Sequence, residues 1–377
     1  MTTRGHNGVI SRVTRAFALA CVIPLAVAAC GNYSGSGSGS GGNTPAPAQG
    51  PAAAWPDVLK AADTEGKLQV WSVLSPAHNA EVEKAFEKAY PKIDISIAQY
   101  GPPDIDTRVD AEHKAGINSV DVLLSTDRMW HEQHLGDGYF QKIAGPDVVA
   151  ADKLVRGTAA PSTDGTPKST QALYDNDTRV ITLFAPWGYA WNTDAVKTPP
   201  PSFESLFAGN TYQGRIGMND PNTNSVNTVL FGKLSERYPD LFQRLGALHP
   251  TLYASSGPAS EALGAGAVNA ILAISAAAVA PVKKAGFAFD TKFPALATPA
   301  YGEVLSSAHS PNAAQVFVNW LMTPQGQAAW ASGYASVLPN IPTAKNPAAG
   351  IEVFEAETVD PKQVAAWKDQ LNKALGR

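Results

Sequence analysis

Cysteine is all but absent from this chain: Cys21 and Cys30 are the only two in 377 residues. Both precede residue 31, so the remainder holds no thiol, which excludes a disulfide framework and a cysteine-ligated zinc site there. Charge is sparse as well, at 16% Asp, Glu, Lys and Arg. Acidic residues outnumber basic ones by 33 to 29 and no basic block occurs, which argues against nucleic acid or an anionic membrane surface as the main partner. A Gly-x-Ser-x-Gly elbow, a His-Glu-x-x-His zinc signature and a phosphate-loop glycine pattern are all missing. An enzyme such as a surface hydrolase is therefore the weakest reading, and no cofactor is expected. A long membrane-spanning run is missing too. The nearest candidate, Leu263 to Val282, is dominated by Ala and Gly, interrupted by Asn269 and Ser275 and ended by Pro281. A strand "AVNAILAI" followed by a small-residue helix explains it better.

What is present begins with an export signal. Arg4, Arg12 and Arg15 form a basic start without acid, and "AFALACVIPLAVAA" (Ala16 to Ala29) is an apolar run too short to span a bilayer. Small residues then precede Cys30, and "VAACG" resembles a bacterial lipobox. That resemblance implies that residues 1–29 are a signal peptide removed before Cys30, whose thiol receives a diacylglycerol. Without those three arginines, 26 basic residues face 33 acidic ones, a net charge of −7. Residues 30–55 follow with Gly/Ser repeats and "NTPAPAQGPAAAW". They have almost nothing apolar to bury and read as a disordered tether reaching on the order of 25–30 Å.

From Trp55 helical and extended patterns alternate. "WPDVLKAADTEG" is an amphipathic helix ending at Gly66. "KLQVWSVL" has strand composition, and Val82, Ala85, Phe86 and Ala89 recur at helical spacing behind Ser75 as N-cap and Pro76. "DISIAQY" and "VDVLLST" are strands flanking a polar helix. "RVITLFAPWGYAWNT" offers a strand interrupted at Pro186. The tail, "SPNAAQVFVNWLMTPQGQAAWAS" and "DPKQVAAWKDQLNKAL", is helical. Repeated β-α-β units predict parallel-rich sheets covered by helices on both faces.

Between Lys67 and Gln327 the chain resembles extracellular solute-binding proteins of ABC importers, in the branch with ferric-ion, thiamine, polyamine and phosphonate binders. The resemblance is carried by "LQVWSVLSPAHNAEVEKAFEKAYPKIDI", by "VDVLLSTD", by "GYAWNTDAV" with "PPPSFESLFAGNTYQGRIGMNDPNTNSVN", and by "HSPNAAQVFVNWLMTPQGQAAW". It implies an α/β, two-lobed periplasmic-binding-protein-like fold of type II with a ligand cleft between lobes. Residues 56–187 and 295–377 would form one lobe and 188–294 the other. The implied activity is capture of a small solute and its delivery to ABC permease subunits by a monomer that meets the membrane through its lipid anchor alone. A ligand-binding sensor or adhesion lipoprotein is the alternative.

Loops after parallel strands lead into helix N-termini, whose free N–H groups favour polar and especially anionic ligands. Such loops place Ser72 and Ser75, Ser125 and Thr126, Asn222, Thr223, Asn224 and Ser225, and Ser255 and Ser256 as candidate ligand contacts. Each is equally the kind of residue that caps a helix or turns a loop. Trp187 and Tyr189 lie beside the crossover, where an aromatic ring stacks on ligand or packs a hinge. These loops lean towards an anion such as a phosphonate or phosphate ester. A polyamine or thiamine would call on carboxylates and aromatics, for which Asp127, Trp130 and Asp220 are candidates. Adjacent tyrosines of the kind used by ferric binders are missing, since Ser275, Ala276 and Ala277 stand there. His131, His134 and Asp137 share a helical face, expected to be an exposed surface rather than a metal site.

Overall fold

The computed structural model describes residues 54–157, 173–174, 177–209 and 211–377. The expected export signal, Cys30 and the expected tether up to residue 53 lie outside them. The described residues belong to one compact unit, Pro47–Arg377.

The first half alternates as its periodicity predicts. Helix α1 (Trp55–Glu65) stops at Gly66, whose φ of 67° is a left-handed cap that a residue with a Cβ adopts at a cost. Strand β1 (Lys67–Ser72), α2 (Pro76–Ala89), β2 (Asp94–Gln99), α3 (Pro102–Ala115) and β3 (Val122–Ser125) follow, then α4 (Arg128–Gln133) and α5 (Pro146–Gly157). Ser75 caps α2 by accepting the His78 N–H, with Pro76 in the first turn. β1 pairs in parallel with both β2 and β3. Buried Asp121 locks that edge, one oxygen accepting from Gln69 N and the other from Ser310 N.

The short β4 (Leu173–Tyr174) pairs with β5 (Arg179–Asn192), a 14-residue strand that runs unbroken through Pro186. The expected interruption does not occur because Pro186 sits where the strand changes partners. Its neighbours then come from the second half: β6 (Ile216–Asn219), α6 (Ser225–Arg237), α7 (Leu241–Leu248), β7 (Thr251–Tyr253), α8 (Ser256–Gly264), β8 (Ala270–Ser275), α9 (Ala276–Val279) and β9 (Ala285–Ala288). The Ala- and Gly-rich stretch at Leu263 thus becomes the end of α8, then β8 and α9. Among the described residues no helix is long and apolar enough to cross a membrane. β6 pairs in parallel with β7 and β8, while β5 meets β8 and β9 in antiparallel fashion.

The chain then returns through β10 (Ala295–Val304), α10 (Pro311–Leu321), α11 (Pro324–Trp330), β11 (Ala335–Ser336), β12 (Ile351–Val353) and α12 (Pro361–Ala374). β10 is antiparallel to β3 and β5, so parallel edges flank an antiparallel centre. Helix α10 is buried along its whole length. Its first N–H groups are capped from outside by Glu65, which accepts from Asn312 N and Ala313 N. Phe317 and Phe86 meet edge to face at 5.1 Å in the same core.

Two principal cores result. One gathers Val70, Phe86, Leu124, Leu183, Phe317 and Trp330. The other gathers Tyr189, Met218, Phe231, Leu272, Trp367 and Leu371. Strand β5 contributes to both, and so does β10, through Ala300 and Leu296. Trp367 and Leu371 put α12 with the second core, whereas the sequence expectation groups all of 295–377 with the first. Gly232 on α6 leaves its flank open to the Trp367 indole of α12, which packs where a Cβ would lie.

Candidate functional site: a cleft between two sheets

Carboxyl ends of parallel strands from both halves face one another across a cleft of about 670 Å³, a size suited to a small organic molecule. The first half supplies Pro102 and Pro103 at the start of α3, and Thr126 and Asp127 before α4. The second half supplies Asn219, the N-terminal residues Asn224 to Asn227 of α6, and Ser255 to Gly257 of α8. The floor is built from the crossing strands, with Trp187, Thr298 and Pro299, and from the segment Phe354 to Glu357 after β12.

Six sequence candidates meet there: Thr126, Trp187, Asn224, Ser225, Ser255 and Ser256. The other six are placed elsewhere. Ser72 is buried and accepts from Leu74 N, Ser75 caps α2, and Ser125 accepts from Asp127 N. Tyr189 is buried in the second core and donates to the Pro200 carbonyl. Asn222 pairs with Asn372 of α12, and Thr223 donates to the Asp220 carbonyl. These short polar side chains are occupied by turns and caps, the competing role for which their residue types are equally suited.

The second-half wall is a network of amides. Asn224 caps α6 by accepting from Asn227 N at 2.9 Å. Asn227 Nδ2 donates to the Asp220 carbonyl and to Thr223 Oγ1, while Asn219 Nδ2 donates to Ser256 Oγ at 3.0 Å and to Asn227 Oδ1 at 3.5 Å. The Oδ1 of Asn219, a residue only 3% exposed, has no partner among the described residues. Nor does the buried Trp187 Nε1.

The first-half wall and the adjoining floor are acidic. Asp127 caps α4 by accepting from Trp130 N, and beside it burial, with Asp127, Glu303 and Asp110 nearby, raises the Asp106 carboxyl to about 8. Burial, reinforced by Asp127 and Glu355, also lifts Glu357 above the usual carboxylate range. Glu355 accepts from the Tyr301 hydroxyl and from Arg128. Burial works against the Arg128 charge, but Glu355 and Glu132 outweigh it and hold the guanidinium protonated. None of the described lining residues is Lys, Arg, His or Tyr. Sequence reasoning missed Asn219, Asn227, Glu355 and Glu357. The "FEAE" run carried the one available signal, two acids spaced around a short turn.

Of the cation candidates, only Asp127 lines the cleft. Trp130 packs in a satellite core, its Nε1 donating to Asp110, and Asp220 pairs with Arg377 at 2.8 Å. His131 and His134 do not form the expected exposed face. His131 is fully buried against Phe140, 2.8 Å from Glu303, while His134 turns towards Asp110 and Asp137. The two imidazoles thus serve different carboxylates, and among the described residues no group of three metal-ligating side chains converges.

The comparison with known families decides the kinship of this arrangement. Residues 81–357 match the model of the bacterial extracellular solute-binding proteins. The chain belongs to that family. Its two lobes with an intervening cleft are the family's type II architecture. Solved structures share the fold at low identity. The substrate binding protein of an ABC transporter from Agrobacterium tumefaciens is 18% identical, with a TM-score of 0.62 over 82% of this chain and 94% of that one. Iron-bound HitA from Pseudomonas aeruginosa is 20% identical, with a TM-score of 0.55 over 82% and 99%. AfuA from Actinobacillus pleuropneumoniae, solved with fructose-6-phosphate, is 16% identical, with a TM-score of 0.52 over 82% and 97%. No curated protein matches the sequence.

Proposed function

We propose that this solute-binding family member is a lipid-anchored receptor that captures a small polar solute between its lobes and hands it to an ABC permease. The observation that supports this most is the cleft itself, which draws lining residues from both halves and from the strands joining them. A cavity built that way is completed only when the halves approach, so ligand bound there favours the closed form, and a partner reading the closed surface senses occupancy. The lobes we assign are 56–187 with the returning strands and α10–α11, and 188–294 with α12. The anchor rests on the sequence around Cys30, and the tether behind it raises the receptor's local concentration at a membrane partner. The anion favoured by the sequence meets no basic side chain among the described lining residues.

The experiment is thermal unfolding of the purified chain against a solute library. A true ligand at 100 times its Kd adds about 2.7 kcal/mol, and uptake of that solute should be lost in cells lacking the chain. Uptake that persists would assign a sensing role instead. Incorporation of a labelled fatty acid that disappears in Cys30→Ala tests the anchor.

A further inference from the structure

We infer that the cleft takes an organic cation carrying hydrogen-bond donors, in place of an anion or a bare metal ion; this rests on the solute-binding reading above. Three observations on different walls converge on it.

The first is charge. Asp127, Glu355 and Glu357 line the cleft, and Arg128, paired to Glu355, is the cation set against them. Behind that wall stand Asp106, whose carboxyl burial raises to about 8, and the buried Glu303, 2.8 Å from His131, and they add little to its charge. The opposing positive features are the N-termini of α6 and α8, each worth about half a charge. The α6 end is already capped by Asn224, and Pro258 removes one N–H from the first turn of α8. Three carboxylates against one guanidinium and two partial helix charges leave the site negative.

The second is an acceptor with nothing to accept. Asn227 Nδ2 must donate to the Asp220 carbonyl, which has no proton to give, so Asn227 Oδ1 is turned towards Asn219. Asn219 therefore presents Nδ2 to it, and its own Oδ1, shielded from solvent, is left without a partner among the described residues, on a residue that lines the cleft. An unprotonated carboxylate or phosphate oxygen cannot satisfy such an acceptor, whereas a ligand N–H or O–H that reaches it can.

The third is size and surface. About 670 Å³ is far more than a metal ion fills, and Trp187, Pro102, Pro103, Pro299 and Phe354 give the cavity apolar walls. An indole beside carboxylates suits a positively charged group with an organic body.

The test divides a desalted small-molecule extract into cation-exchange-retained, anion-exchange-retained and unretained neutral fractions, and measures thermal stabilisation of the full chain by each. Mass spectrometry then identifies what the chain retains. Stabilisation by the cationic fraction, with a retained solute of positive charge, is the expected result. The variant Asp127→Asn/Glu357→Gln should bind that solute roughly tenfold to a hundredfold more weakly, the scale of one or two charge-assisted hydrogen bonds. Asn is as good a helix cap as Asp, so an unchanged melting temperature of the unliganded variant shows that the fold survives. Retention of an anion, or undiminished cation binding by a folded variant, would overturn the assignment of charge while leaving solute binding intact. Stabilisation by the unretained neutral fraction alone would likewise overturn the assignment of charge, and stabilisation by none of the three fractions would overturn the solute-binding reading itself.

Discussion

Arg128 Nη1 lies 2.5 Å from Glu355 Oε2, across 227 positions of sequence, while its Nε holds Glu132 at the same distance. The guanidinium thereby ties α4 to the segment that returns after β12 to floor the cleft. Tyr301 of β10 engages the other Glu355 oxygen, so three elements meet at one carboxylate. Replacing Arg128 by Gln removes the charge-assisted bonds from a half-buried position and should lower stability by about 1–2 kcal/mol in a urea titration. Glu132→Gln, on the exposed side of the same guanidinium, should cost less.

Asp106 gives stability a pH dependence of known sign. Its folded-state value of about 8 lies above that of an unfolded aspartate, so folding binds a proton between about pH 4 and pH 8. That contribution is fully present below the unfolded value and is lost as pH rises through the folded one. Wild type should therefore lose stability between pH 5 and pH 9 relative to Asp106→Asn, which carries no such proton. Denaturant unfolding of both proteins at the two pH values measures the difference, and parallel behaviour would contradict the assignment.

Trp187 is one of two aromatic rings, with Phe354, at the floor of the cleft. With a cationic ligand above it, Trp187→Leu keeps apolar bulk and removes the π face, at a cost of about 1–2 kcal/mol, or roughly five- to thirtyfold in affinity. The variant should also lose much of the ligand-induced change in tryptophan fluorescence. An unaltered affinity would place the ligand away from the indole.

Gly232 and Trp367 set the docking of the last helix. A Cβ on Gly232 would come 2.1 Å from Trp367 Cδ2, so the indole lies directly on the α6 backbone. Gly232→Ala should destabilise the protein by about 1–3 kcal/mol through overpacking. Combined with Trp367→Ala, the two losses should fall short of additivity, because the second change removes the clash created by the first.

The elements of the first half were legible because each carried local chemistry with a single outcome. Ser75 and Pro76 announce α2, Gly66 ends α1, and alternating apolar residues mark β1 and β2. The site was half legible. Thr126 and Ser256 reach the cleft while Ser125 and Thr223 bond nearby backbone groups instead, and no property of a serine or threonine tells these apart before the loops are folded. Glu355 and Glu357 were invisible for another reason. They arrive from the far end of the chain, held beside Asp127 by the pairing of β12 with β10, a register that only tertiary structure sets. His131 was misjudged because helical spacing reports which residues share a face, not whether that face meets Glu303 or water.

At Pro186, β5 pairs with Ala297 of β10, and one residue later Trp187 pairs with Ser275 of β8. A proline brings no N–H to a ladder and its ring fixes its own φ. Any swing of one half against the other through this strand therefore breaks no bond donated by that residue. With Pro186 φ fixed by its ring, Pro186 ψ and Trp187 φ are the torsions nearest the change of partner that remain free to turn. A hinge at this joint would carry the indole with it, so closure would move the ring on the cleft floor.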